Sequence, residues 1–153
     1  MIKPVKGITL DSWAVLAWLQ GEPGGALVAD LLVWCEGDEG AGRAISRIVM
    51  AEEPPRLFLN VINLGEVFYI TGRRKGRREA AEVVRRLGLG PLVIVGASRG
   101  LVLAAAEVKM SHRVAYADAF AVATARKTRS ALMTGDPELR GLPGLDVIWI
   151  GEG

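Results

Sequence analysis

The 153-residue chain contains one cysteine, Cys35, and one histidine, His112. A lone thiol admits no internal disulfide. One imidazole and one thiol, with no ligand spacing typical of zinc, argue against a zinc site. A cysteine nucleophile or a serine triad would have only His112 as its base, and no Gly-x-Ser-x-Gly elbow is present. Cys35 therefore reads as a small apolar residue of the interior. The phosphate-cradling Gly-x-x-x-x-Gly-Lys-Ser/Thr loop is missing too. No apolar run is long enough to span a membrane. The start, Met1-Ile2-Lys3-Pro4-Val5-Lys6, lacks the apolar stretch of a secretory leader, so a cytoplasmic location is expected. There is no repeat, linker or low-complexity segment, and one domain over 1–153 is expected.

Half the residues are apolar and 24% are charged, a balance suited to a compact fold. The net charge of +2 conceals an asymmetry. Residues 1–72 sum to −4 and residues 73–153 to +6, with arginine supplying 14 of the 19 cations. Arginine's planar fork matches phosphate, so the second half suits a polyanionic partner, although an arginine-rich solvated surface accounts for the composition equally well.

Short apolar runs alternate with helical periodicity. Strands are expected at Val5–Leu10, Arg56–Leu59, Leu92–Val95, Ala131–Thr134 and Val147–Ile150. Helices are expected at Ser12–Gln20, Ala26–Trp34, Asn60–Ile70, Glu79–Leu87, Leu101–Met110 and Ala115–Lys127, with another turn or two at Ala44–Met50 and an acidic, glycine-rich turn over 36–42. This order predicts a three-layer α/β/α sandwich around a mostly parallel five-stranded sheet. Of the four tryptophans, Trp149 is expected in the core, and Trp13, Trp18 and Trp34 in the core, a dimer face or a partner groove.

Four carboxylates sit where an apolar run gives way to a polar or helical start: Asp11, Glu66, Asp118 and Asp136. Singly, three are excusable. Asp11 can cap the helix at Ser12, Asp136 can cap one beginning at Pro137, and Asp118 suits the positive end of a helix. Glu66 lies among Ile62, Leu64, Val67, Phe68 and Ile70, where a charge needs a partner such as Arg73. Residues past the carboxyl ends of parallel strands converge, and acids converging at about 4–6 Å repel one another unless a cation screens them. Magnesium or manganese suits an all-oxygen site, and metal-assisted hydrolysis becomes the expected chemistry.

The segments Thr9-Leu10-Asp11-Ser12, Asn63-Leu64-Gly65-Glu66-Val67, Tyr116-Ala117-Asp118-Ala119-Phe120 and Leu132-Met133-Thr134-Gly135-Asp136-Pro137 resemble, in order, those of the PIN-domain nucleases. They are most similar to the VapC toxins of type II toxin-antitoxin pairs. The resemblance implies a five-stranded parallel sheet and an Mg2+- or Mn2+-dependent endoribonuclease. Its catalytic and metal-binding acids fall on Asp11, Glu66, Asp118 and Asp136, and its supporting polar groups on Ser12, Asn63 and Thr134. An RNA substrate, a cognate antitoxin and a homodimer are the implied partners. Two departures stand out: a lengthened stretch between Asp11 and Glu66, with the excess assigned to an insertion near 36–55, and the bulky Trp13 beside the site.

The run Arg73-Arg74-Lys75-Gly76-Arg77-Arg78 offers five cations for an RNA backbone, with Lys109, Arg113, Arg126 and Arg129 as an extension; its plainer reading is a solvated loop and helix start. The rival to a nuclease is a non-catalytic RNA- or protein-binding scaffold of the same fold. A haloacid-dehalogenase-like phosphatase is disfavoured, because its second aspartate would stand at Trp13.

Overall fold

The computed structural model describes residues 4–153. The leaderless start read at Met1–Lys6 therefore lies partly outside the described residues. In chain order the elements are β1 (Gly7–Leu10), α1 (Ser12–Leu19), α2 (Gly25–Cys35), α3 (Glu39–Val49), β2 (Arg56–Asn60), α4 (Val61–Lys75), α5 (Arg77–Leu89), β3 (Leu92–Val95), α6 (Arg99–Ser111), α7 (Tyr116–Thr128), β4 (Ala131–Thr134), a 3-10 turn (Pro137–Leu139) and β5 (Val147–Trp149). All strand pairings are parallel, in the order β3-β2-β1-β4-β5. The expected sandwich and its five strands are what the chain forms.

β1 is central, and its four residues are buried, because helices cover both faces of the sheet. Period-two alternation sorts its neighbours. Ile8, Leu10, Ala131 and Met133 face one core with Val15, Val28, Leu31, Ile45, Val67 and Val83 from α1 to α5. Leu132 faces the other, built from Leu101, Ala105 and Val108 of α6 and the alanines and Val122 of α7. From β1 the chain adds β2 and β3 on one side and β4 and β5 on the other. The order thus reverses between β1 and β4, and their carboxyl ends border a crevice.

Three local expectations need correction. The turn expected over 36–42 ends early: Asp38 accepts a hydrogen bond from the Ala41 amide at 3.1 Å and starts α3 at Glu39, which buries Ile45 and Val49. Helix α4 continues past Ile70 to Lys75, so Arg73, Arg74 and Lys75 form its last turn, where cations favour the helix dipole. It stops at Gly76, whose φ of 92° suits glycine, and α5 starts at Arg77. Trp149 is only half-buried: the Arg140 guanidinium lies 4.4 Å from its ring centroid. Among the first three tryptophans, Trp34 is buried in the core and Trp13 and Trp18 are partly buried against it. No helix among the described residues is long and apolar enough to cross a membrane.

Candidate active site

Asp11 follows β1 directly and is fully buried. It does cap α1, since Oδ1 accepts the Ala14 amide at 2.8 Å. Capping uses only half the carboxylate. Oδ2 accepts the Thr134 hydroxyl at 2.5 Å, joining the end of β1 to the end of β4 across the crevice. Thr134 Oγ1 in turn accepts the Asp136 amide at 3.0 Å. Asp136 caps the 3-10 turn through the Glu138 amide at 3.0 Å. Asp118, in the first turn of α7, is nearly buried. One oxygen from each of Asp118, Asp136 and Glu138 falls within 4.8 Å of the others.

Glu66 enters from α4. The Ser12 hydroxyl donates to its Oε1 at 2.7 Å, and Asn63 Nδ2 donates to the same oxygen at 3.4 Å. Asn63, three residues earlier on the same face, also donates to the Ala117 carbonyl at 3.0 Å, fixing α4 against the start of α7. Its Oδ1 is buried without a partner among the described residues. Arg73 is not the partner of Glu66. Its guanidinium stacks over Tyr69, 5.2 Å from the ring centroid, and Phe68 is exposed. The residue pattern of α4 suggests apolar surroundings on every side, whereas one face of that helix meets solvent.

The acids repel one another. Burial pushes the Asp11 carboxyl up from 3.8 to about 7; the Thr134 and Ala14 hydrogen bonds oppose the rise, and the charges of Asp136 and Glu66 add to it. Burial likewise lifts Asp118 to about 7, helped by Asp136, Asp11, Glu66 and a hydrogen bond with Asp136. Both shifts register the four acids as one electrostatic group. Among the described residues, the ion pairs lie on α5 alone, between Arg85 or Arg86 and Glu79 or Glu82, so no protein cation compensates the cluster. The donor set is carboxylate, hydroxyl and amide oxygen, with no imidazole or thiol, and it fits a hard divalent cation.

The sequence reading missed Glu138. It is exposed and lies two residues beyond Asp136, and only the tight turn through Pro137 brings its carboxylate back to the cluster. The Asp-Pro-Glu spacing was the available signal. The five cations at 73–78 are all exposed at the α4–α5 turn, with none in an ion pair among the described residues. Of their supposed extension, Lys109 Nζ donates to the Val114 carbonyl and Arg126 to the Pro143 carbonyl.

A parallel sheet with this strand order and an acid group at its central crevice defines a class. The PIN domain family model matches residues 8–145, and the chain belongs to that family. Among solved structures it is similar to VapBC-1 from nontypeable Haemophilus influenzae, at 12% identity over 92% of this chain and 96% of that one, TM-score 0.63. DNA-bound VapBC from Salmonella typhimurium gives 11%, 92% and 96%, TM-score 0.62. VapC20 from Mycobacterium tuberculosis, described as a sarcin-ricin loop cleaving toxin, gives 21%, 86% and 91%, TM-score 0.57. At these identities the likeness establishes the fold. Among curated proteins no relative matches.

Proposed function

We infer that this chain is a Mg2+- or Mn2+-dependent endoribonuclease of the VapC type, the toxin of a toxin-antitoxin pair. The observation that carries this reading is the convergence of Asp11, Glu66, Asp118 and Asp136 at the sheet's crevice without a compensating cation among the described residues. A scaffold would have no use for a group of acids that costs stability. Membership of the PIN domain family supports a nuclease, and a similar structure from Klebsiella pneumoniae is described as a toxin-antitoxin complex, beside others described as VapBC.

Asp11 and Asp118, the most buried of the four, are the direct ligands in this reading, with Glu66 and Asp136 completing the shell or orienting the attacking water. A divalent ion bound there supplies Lewis-acid polarisation of the phosphodiester and offsets the negative charge that develops on its oxygens. The chain's own residues preorganise this site. Thr134 holds Asp11 in one rotamer, and Ser12 and Asn63 hold Glu66, so the oxygens lose little freedom on binding. The exposed cations Arg73, Arg74, Lys75, Arg77 and Arg78, about two helical turns beyond Glu66, contact the RNA backbone. A cytoplasmic location follows from this role, and the exposed Val61, Phe68 and Tyr69 of α4 offer a face to a second copy or to the antitoxin.

The test is cleavage of total RNA by the purified chain with Mg2+, Mn2+ or EDTA, beside Asp118→Asn. Cleavage that needs metal and Asp118 supports the reading; activity in EDTA, or undiminished in the variant, refutes it. Growth arrest on induced expression should vanish with Asp118→Ala, and equal arrest from both would contradict a nuclease-dependent toxin.

A further inference from the structure

Beside the acids lies a cavity of ≈ 480 Å³, whose wall includes Trp13, Leu16, Gln20, Glu22, Pro137 and Glu152. It shares structure with the acid site at two places. Trp13 follows the Asp11-Ser12 pair, and Pro137 follows Asp136. Gly135, between Thr134 and Asp136, also lines it; a Cβ there would clash with Cη2, Cζ3 and Cζ2 of the six-membered ring of Trp13, so the indole rests on the β4 turn. The wall contains no lysine or arginine and two carboxylates, which repels a phosphate group. An aromatic ring, apolar sides and hydrogen-bonding groups from Gln20, Glu22 and Glu152 suit a flat heterocycle instead.

We propose that this cavity is a base-binding subsite, in which Trp13 and Gln20 hold the nucleobase adjoining the phosphodiester at the acid cluster. The substrate class rests on the nuclease reading; the cavity's chemistry stands apart from it. Carboxylates only accept hydrogen bonds, so the favoured base presents donors. Guanine ranks first, because its N1–H and N2–H2 lie side by side and match one carboxylate as a fork does. Through this pocket the chain selects a cleavage position beside a guanine.

Nucleotide binding and cleavage are measured separately. Each 5′-nucleoside monophosphate is titrated in magnesium buffer while the four indole N–H resonances are followed by NMR, with Trp13 assigned by its loss in Trp13→Phe. GMP should shift the Trp13 signal and bind tightest, leaving Trp34 still, and Gln20→Ala should weaken it about ten-fold. Cleavage of an RNA library should lose guanine preference in Gln20→Ala and in Trp13→Leu. Movement of Trp13 with GMP in a protein that cuts no RNA would keep the subsite and sink the nuclease. Metal-dependent cleavage with no Trp13 shift, or an unchanged cleavage profile in Gln20→Ala, would sink the subsite alone. Tighter binding of UMP than GMP would overturn the donor-edge argument.

Discussion

Replacing Asp11 by asparagine should make the metal-free protein more stable while abolishing cleavage, and the gain should depend on pH. Asp11 is fully buried, and its carboxyl is pushed from 3.8 to about 7. Because the folded value lies above the unfolded one, the folded state holds the proton longer. The contribution of Asp11 to stability is fullest below about pH 4, declines as pH rises through the window between the two values, and reaches its floor above about 7. At 1.36 kcal/mol per pH unit that window is worth about 4 kcal/mol. Asparagine keeps an acceptor for the Ala14 amide, yet it replaces the Oδ2 that accepts from Thr134 with an NH2 group, and this costs about 1 kcal/mol. The net gain near pH 8 is therefore about 3 kcal/mol, or about 6–12 °C in Tm for a chain of this length. Near pH 4 the gain disappears and the small loss remains. Thermal melts of both proteins in EDTA at pH 4.5, 6 and 8 measure the difference. An asparagine variant destabilised by the same amount at every pH would mean that neither burial nor the neighbouring acids raise the Asp11 carboxyl, and the electrostatic argument for the site would fail.

Mn2+ or Mg2+ should raise the wild-type Tm at pH 8 and much less at pH 6, because Asp11 and Asp118 must lose protons near 7 to bind metal; a pH-independent shift would exclude both as ligands. Thr134→Val should leave Asp11 Oδ2 and the Asp136 amide short of a partner, cost about 1–3 kcal/mol in denaturant melts and push the Asp11 carboxyl higher still. Gly135→Ala must displace the Trp13 ring, so a loss of about 1–3 kcal/mol with a changed indole signal is expected, and a silent substitution would refute the packing of the indole on that turn. Replacing Arg74, Arg77 and Arg78 by alanine should weaken RNA binding and lower the slope of log K against log salt by about 0.7 for each phosphate no longer neutralised, whatever small change the loss of Arg74 from the last turn of α4 makes to the melting curve; an unaltered slope would return these residues to plain surface.

The strands at 92–95 and 131–134 were legible to the residue, because β-branched and apolar runs of four between turn signals have one economical conformation. Helix ends were less legible. The extension of α4 to Lys75 depends on cations stabilising a helix terminus and on Gly76 adopting a positive φ, neither of which apolar periodicity reports. The start of α3 at Glu39 hid behind glycines that read as a turn, until the Asp38 cap outweighed them. Glu66 was conspicuous as a charge in an apolar segment, yet its partners, Ser12 and Asn63, include a residue from another helix. Glu138 was hard to single out, because an exposed acid after proline is commonplace and the Asp-Pro-Glu spacing was its one signal.

By itself the sequence determined the parallel α/β architecture and pointed to the four acids and away from zinc, thiol and serine chemistry, since period, strand length and residue inventory are local properties. Tertiary structure alone decided that Asp11 bonds Thr134 across the β1–β4 reversal, that no cation among the described residues compensates the acids, and that Trp13 closes a cavity against Gly135. These depend on strand order and on which side chains burial strips of water, and so on contacts between residues far apart in the chain.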